Sequence, residues 1–360
     1  MQQLDGKLLF AATDLSDFLV CPHLTLLRCR TAQGGPKPLK FPNQGLEVLR
    51  QRGEEHEQAV LQRYRDAGLE IADLSSWRDG ERGLGRFQGH AAATAEAMRA
   101  GADVIYQGFL FDGTWLGYPD FLRRVERPSE LGEWSYEVVD AKLAREAKGG
   151  ALLQILLYAD LLAAVQGSPP ESVHLALGGP EAPFESFRVN HYAAYFRAIR
   201  NQFQAWVGSA PAELPVAVEP VTHCVLCAWD YHCTRERRDV DHLSFVANIT
   251  RQQRQALVEG GITTLQALGE LAAPSFDGIK AGVLGRLQLQ ARLQLQARQE
   301  SRLLHQLLLP IETEEGLAAL PEPSPGDLFF DLEGDPYALE LGIEYLFGVA
   351  DAGGEYSARW

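Results

Sequence analysis

The segment of this chain best suited to chemistry is Tyr136-Glu137-Val138-Val139-Asp140-Ala141-Lys142. Its β-branched residues predict a strand, on which alternate side chains face one way. Asp140 and Lys142 then share a face, while Val139 and Ala141 pack on the other. A carboxylate in that position can hold a divalent ion. A neighbouring ammonium can orient the attacking water and offset charge on a phosphate. An exposed ion pair at a strand end is the competing reading. Three neighbours strengthen the chemical one. Gly117-Tyr118-Pro119-Asp120 places an acid at the end of a hairpin-like segment one strand earlier. Gly53-Glu54-Glu55-His56-Glu57 sets an imidazole among acids on an expected helix. Gln154 and Tyr158 stand four apart on one helix face. Each of these taken singly also fits a structural role.

A second group is made of thiols. Cys21 and Cys29 lie near the start, and Cys224, Cys227 and Cys233 follow after a long gap. An odd number of cysteines in a chain of this length is a poor disulfide framework. The Cys-x2-Cys spacing is instead a metal-binding pattern. His223, His232 or Cys21 would complete a Zn²⁺ site. Arg235, Arg237 and Arg238 come next, either as contacts for phosphate or as partners of Glu236, Asp239 and Asp241.

The elements that must position these groups follow from periodicity. Residues 8–30 read as an extended piece and then a helix, with Thr13 or Asp14 as its cap and Leu15, Phe18 and Leu19 as its apolar stripe. Pro22 puts Cys21 at a helix break. Residues 44–66 are helical, with Leu46, Leu49, Val60 and Leu61 on the inner side, and 88–100 form another helix. The stretch 104–126 breaks into short hairpin strands, and the segment around Asp140 is the next strand. An apolar helix follows Gly149-Gly150 and ends at Gly167. Strands are expected at 172–178 and 184–189, then a long amphipathic helix closed by Gly208. From 241 the chain turns helical and polar. RLQLQA occurs twice in tandem, at 286–291 and 292–297, as in a connector or packing helix. A Pro-rich stretch marks a boundary near 320–327, after which strands resume, with a second one at 339–349.

With 360 residues, 46% hydrophobic and 22% charged, the chain has material for two or three domains and is not disordered as a whole. No unbroken apolar run reaches the ~18 residues that span a bilayer. The start lacks the basic and apolar regions of a secretory signal. A cytoplasmic protein without a membrane partner is expected. Lys and Arg number 33 against 48 Asp and Glu, a net charge of -15. That excludes a surface coating nucleic acid non-specifically, but not an enzyme with a local basic track.

The order G-x-x-H, G-x-x-D, D-x-K, Q-x-x-x-Y resembles the RecB-like branch of the PD-(D/E)XK nucleases. The resemblance implies an α/β fold with a restriction-endonuclease-like core. It makes His56, Asp120 and Asp140 ligands of Mg²⁺ or Mn²⁺, with the Ala141 carbonyl adding an oxygen. Lys142 would position the water, and Gln154 and Tyr158 would orient the DNA strand or brace the site. Glu57 would have an outer role. Ala141 departs from many relatives, which carry an aromatic residue there, and Glu137 is an extra acid. Iron–sulfur members of this branch have one cysteine before the nuclease motifs and three after them. The resemblance therefore selects Cys21, Cys224, Cys227 and Cys233 as ligands of a [4Fe–4S] cluster, with Zn²⁺ as the alternative. Cys29 has no matching role and reads as a buried apolar cysteine. The cluster would act as a staple outside the hydrolytic step.

Two later motifs are weaker. Gly260-Gly261-Ile262-Thr263-Thr264-Leu265 resembles the turn of a helix-hairpin-helix unit, whose backbone N–H groups can bind phosphate or merely serve packing. Asp331 and Glu333 alternate in Phe330-Asp331-Leu332-Glu333-Gly334, like the first motif of RNase H-like exonucleases. This second site is incomplete as it stands. The expected organisation is a nuclease domain over 1–240, a helical connector over 241–320 and the first strands of an RNase H-like domain over 321–360, with truncation the expected reason for the abrupt end. The expected function is metal-dependent hydrolysis of DNA at single strands or duplex ends, with a helicase domain or partner, in repair, recombination or defence. The alternatives are an inactive nucleic-acid-binding module with a structural metal, and a structural subunit of a repair assembly.

Overall fold

A computed structural model describes residues 1–39, 44–79, 83–179, 184–211, 214–309, 316–335, 338 and 342–360. They form two compact units, Met1–Asp239 and Val240–Trp360.

The first unit is mixed α/β. Its chain opens with β1 (Gln2–Leu4), β2 (Lys7–Ala11) and α1 (Ala12–Val20). The N-cap of α1 is Ala11, so neither Thr13 nor Asp14 caps it. Asp14 instead reaches back from inside the first turn and accepts the Ala11 N–H at 2.8 Å. Leu15 and Phe18 are buried, whereas Leu19 is exposed. Pro22 begins α2 (Pro22–Ala32), and Cys21 lies in extended backbone between the two helices. A proline forces that geometry on the residue before it and is well suited to a first helical position.

α3 (Gln44–Asp66) buries Val60, Leu61 and Tyr64 against the sheet; Leu49, expected on the same side, is exposed, since the buried side chains described on α3 lie in its later turns, and the Leu46 side chain lies outside the described residues. Next come β3 (Ile71–Asp73), α4 (Leu84–Ala100), β4 (Val104–Tyr106), β5 (Leu110–Phe111), β6 (Trp115–Gly117), β7 (Phe121–Val125) and β8 (Ser135–Lys142). α5 (Gly149–Gln166), β9 (Ser172–Leu177), β10 (Phe184–Arg188), α6 (Val189–Gly208) and α7 (Asp230–Asp239) complete the unit. A six-stranded sheet runs in the order β10-β9-β8-β7-β4-β3, beside a smaller sheet β1-β2-β6-β5.

β7 and β8 are antiparallel, and β8 and β9 are parallel. A parallel pair needs a crossover, which α5 supplies. By length and composition α5 alone among the described helices could cross a membrane. Its Ile155, Leu157 and Leu162 are nevertheless fully buried in the main core with Val138, Leu175 and Phe203. Burial on that scale stabilises by ~1.5–3 kcal/mol per side chain, enough to fix the helix on the sheet.

The second unit contains α8 (Arg251–Glu259), α9 (Leu265–Glu270) and α10 (Ala281–Glu300), then β11 (Leu328–Asp335), β12 (Ile343–Asp351) and β13 (Tyr356–Arg359). These last three strands form an antiparallel sheet in sequence order. Of the strand expected at 339–349, residues 339–341 lie outside the described residues. Thr250 and Thr264 cap α8 and α9 through their side chains. Both RLQLQA copies lie on α10, where Leu287 and Ala291 are buried and Gln288 donates to the carbonyls of Leu271 at 3.0 Å and Ala273 at 2.9 Å. The duplication is thus a packing surface of the connector.

Candidate active site

The sheet brings the acids together by register. Phe121 pairs with Val139 across β7 and β8, so the preceding Asp120 falls beside Asp140. β8 is buried along most of its length and opens only at Ala141 and Lys142. The backbone N–H of Ala141 donates to Asp120 Oδ2 at 2.8 Å. Asp140 is 1% exposed, and Lys142 Nζ forms an ion pair with its Oδ2. Neither Asp140 oxygen has a well-formed hydrogen bond in addition to that pair.

The charges are out of balance. Burial first, then the neighbouring carboxylates of Asp140 and Glu57, push the Asp120 carboxyl well above the usual carboxylate range, against the pull of Lys142. Burial also works against the Lys142 ammonium, but Asp140, Asp120 and Glu57 outweigh it and hold Lys142 above the ordinary lysine value. Three carboxylates whose charges act on one ammonium carry excess negative charge, and their hard oxygens are of the kind that suits Mg²⁺ or Mn²⁺. Among the described residues, no three His, Cys, Asp or Glu side chains stand closed at metal-ligating distance.

Glu57, given an outer role by sequence, belongs to this cluster electrostatically. It accepts the Tyr106 hydroxyl at 2.8 Å and a bond from Gln107 Nε2. Its neighbour His56 points elsewhere: its Nε2 is 2.9 Å from the carbonyl oxygen of Ala176, which pairs with Ala141 on the adjacent strand. Adjacent residues on a helix point about 100° apart, so one of the two faces the acids and the other the edge of β9. Gln107 was not singled out by sequence. It has a left-handed backbone with φ of 56° and donates its own N–H to the carbonyl of Asp120 at 2.8 Å. A non-glycine residue in that region at a polar site is the kind of signal only coordinates provide.

α5 supplies the remaining pair. Gln154 Nε2 donates to the Tyr158 hydroxyl at 2.9 Å, and the Tyr118 backbone N–H bonds the same oxygen. Burial and the nearby Asp140 and Asp120 raise the Tyr158 pKa, keeping the phenol neutral. Gly117 has a steric reason to be glycine: a Cβ there would lie 2.5 Å from Tyr158 Cδ1. Tyr118, two residues before Asp120, also walls a pocket of about 510 Å³ lined by Arg78, Arg86 and Thr13, with no acid lining it among the described residues. The Arg78 guanidinium lies 5.3 Å over the Tyr118 ring. Glu137, the extra acid, stands apart from the site and bonds His174 Nε2 at 2.8 Å and the Ser172 N–H at 2.9 Å.

Four of the thiols, Cys21, Cys224, Cys227 and Cys233, border one cavity of about 20 Å³ together with Leu24, Leu27 and Trp229. The Val221 N–H points to Cys224 Sγ at 3.4 Å, and the Trp229 N–H bonds Cys227. Burial pushes the Cys233 thiol up to about 12. All are free thiols, and Cys29 is buried outside the cavity. His223 also lines it, whereas His232 faces Glu236 at 3.1 Å. Arg237 is buried among Thr234, Asp230 and the Val218 carbonyl, so it is no phosphate contact on the surface.

In the second unit the glycine turn offers little to phosphate. The N–H groups of Gly260, Gly261 and Ile262 bond Ala256, Val258 and Leu257, and those of Leu265 and Gln266 bond Asp241. Asp331 and Glu333 share an exposed face of β11 beside Phe329. No protein-family model and no curated protein matches the sequence.

Proposed function

We propose that the first unit is a RecB-like, PD-(D/E)XK-type nuclease that hydrolyses DNA phosphodiesters with Mg²⁺ or Mn²⁺. The observation that carries this reading is that Asp120, bonded by the Ala141 N–H, and Asp140, paired with Lys142, meet at the end of β8, where the charge of Glu57 on α3 also acts on Asp120 and Lys142. A bound divalent ion would polarise the phosphoryl oxygen and lower the pKa of its water. Asp120, Asp140 and the Ala141 carbonyl are its expected protein ligands, with Glu57 on α3 bordering them, while His56 is engaged with the Ala176 carbonyl instead of the ion. Asp120 must then lose the proton that its surroundings favour. Lys142 stays protonated, so its Nζ orients the water and balances charge on the phosphate, while a carboxylate receives the proton. Tyr158, kept neutral and fixed by Gln154, braces the face of Gly117 and Tyr118. Arg78, Arg86 and Tyr118 suit a single strand, with guanidinium for phosphate and an aromatic ring for a base. Within a chain of net charge -15, that pocket supplies the local basic track.

The four thiols are read as the holder of a structural metal, Zn²⁺ or an iron–sulfur cluster, that staples the α1–α2 break to α7. Their chemistry fits either group. A cytoplasmic role in DNA repair, recombination or defence, with a helicase as partner, fits this activity. The test is cleavage of end-labelled single- and double-stranded DNA with Mg²⁺, Mn²⁺ or excess chelator. Metal-dependent cleavage is expected. DNA binding without cleavage in either metal would replace the enzyme with a binding module.

A further inference from the structure

His23 follows Cys21 by two residues, in the first turn of α2, and lines the four-thiol cavity. It is 7% exposed, and neither ring nitrogen has a hydrogen-bond partner among the described residues. A buried imidazole with both nitrogens unbonded is uncommon, because it has given up water without replacement. Its location supplies a reason. Four thiolates around a divalent ion, or around a cluster core of equal charge, leave a net charge of about -2 in a poorly solvated place. Donors already point at two of the sulfurs, from Val221 to Cys224 and from Trp229 to Cys227. The Arg237 guanidinium, 4% exposed, lines the same wall. His23 adds a donor beside Cys21, where the apolar Leu24 and Leu27 contribute none.

We propose that His23 donates a ring N–H to a sulfur of the thiolate-held group and so stabilises its negative charge. It is a positioning residue and not a ligand, since four thiolates already fill a tetrahedral set. The proposal rests on reading the thiols as a metal site and adds a residue that the spacing of the cysteines does not indicate.

The test uses the full chain, prepared metal-free and then loaded with Zn²⁺, or with Co²⁺ as a visible probe. His23→Phe keeps a flat ring and removes both donors, and His23→Asn restores one. Zn²⁺ affinity is read by competition with a chromophoric chelator, and thermal unfolding is followed with and without metal. His23→Phe should bind Zn²⁺ about 10–100-fold more weakly. Its Co²⁺–thiolate absorption should persist, and the metal-free protein should melt no lower than the parent, because an unsatisfied group has been removed. His23→Asn should recover part of the affinity. Unchanged affinity in His23→Phe would overturn the proposal, as would a loss of metal-free stability in both variants, which denotes plain packing. If the parent takes up neither Zn²⁺ nor Co²⁺, the thiol-site reading fails and His23 falls with it.

Discussion

The Ala141 N–H donates to Asp120 Oδ2 at 2.8 Å, fastening the acid of the β6–β7 loop to the strand that carries Asp140 and Lys142. The bond comes from the backbone, so the side chain at 141 is free to be small. Asp120 is thereby held beside Asp140 at a cost in burial first and in like-charge repulsion from Asp140 and Glu57 second, and both raise its pKa.

That pKa fixes a pH dependence. An acid whose folded-state pKa lies above the unfolded value, ~3.9 for Asp, stabilises the fold below that value. The contribution is lost as pH rises through the folded pKa. The Asp120 contribution to the stability of the metal-free protein should therefore fall from about pH 4 upward, and the parent should lose stability relative to Asp120→Asn as the pH rises. Metal affinity should run the opposite way, rising with pH as the carboxyls give up protons. Melting curves across pH, with and without Mn²⁺, check both signs.

Gly117→Ala tests the packing behind the site. Its Cβ would meet the Tyr158 ring at 2.5 Å and Leu161 at 3.4 Å, so the ring must move. A loss of about 1–3 kcal/mol in denaturant unfolding is expected. Tyr158→Phe keeps the ring and removes only the hydroxyl bonded by Gln154 and Tyr118, and should cost about 0.5–1.5 kcal/mol.

Glu57 and His56 separate by function. Glu57→Gln should lower the cleavage rate by about 10–100-fold, as expected when a carboxylate bordering the metal is neutralised. His56→Ala should have the smaller effect, because its ring is engaged with the Ala176 carbonyl. Initial rates at saturating Mn²⁺ decide the order.

Cys233→Ser should abolish uptake of Zn²⁺ or of an iron–sulfur cluster at the thiols and lower the melting temperature of the first unit, since its thiol joins α7 to the α1–α2 break around the shared cavity. Metal content and calorimetry on the same sample check this. Visible absorption of the anaerobic parent distinguishes an iron–sulfur cluster from Zn²⁺.

Some of this was legible in the sequence and some was not. The alternation around Asp140 and the proline after Cys21 are local signals, and the strand and the helix break both stand where those signals put them. Gly117-x-x-Asp120 is also local, although the demand on Gly117 comes from Tyr158 on a distant helix. Whether His56 or Glu57 faces the acids depends on how α3 is rotated on the sheet, which tertiary packing sets. Leu49 was misplaced for the same reason. Gln107 and His23 carry no motif at all: one is marked by its backbone angle, the other by what its ring fails to bond. The glycine turn at 260–261 has the residues of a phosphate-binding loop, but its N–H groups are bonded within the fold.

The most direct test of the account is single-turnover cleavage of end-labelled single-stranded DNA by the parent, Asp140→Asn and Lys142→Gln, each saturated with Mn²⁺. The account predicts metal-dependent cleavage by the parent and a fall of about 10²–10⁴-fold in both variants, with folding and DNA binding retained. Cleavage by Asp140→Asn at the parental rate would contradict it.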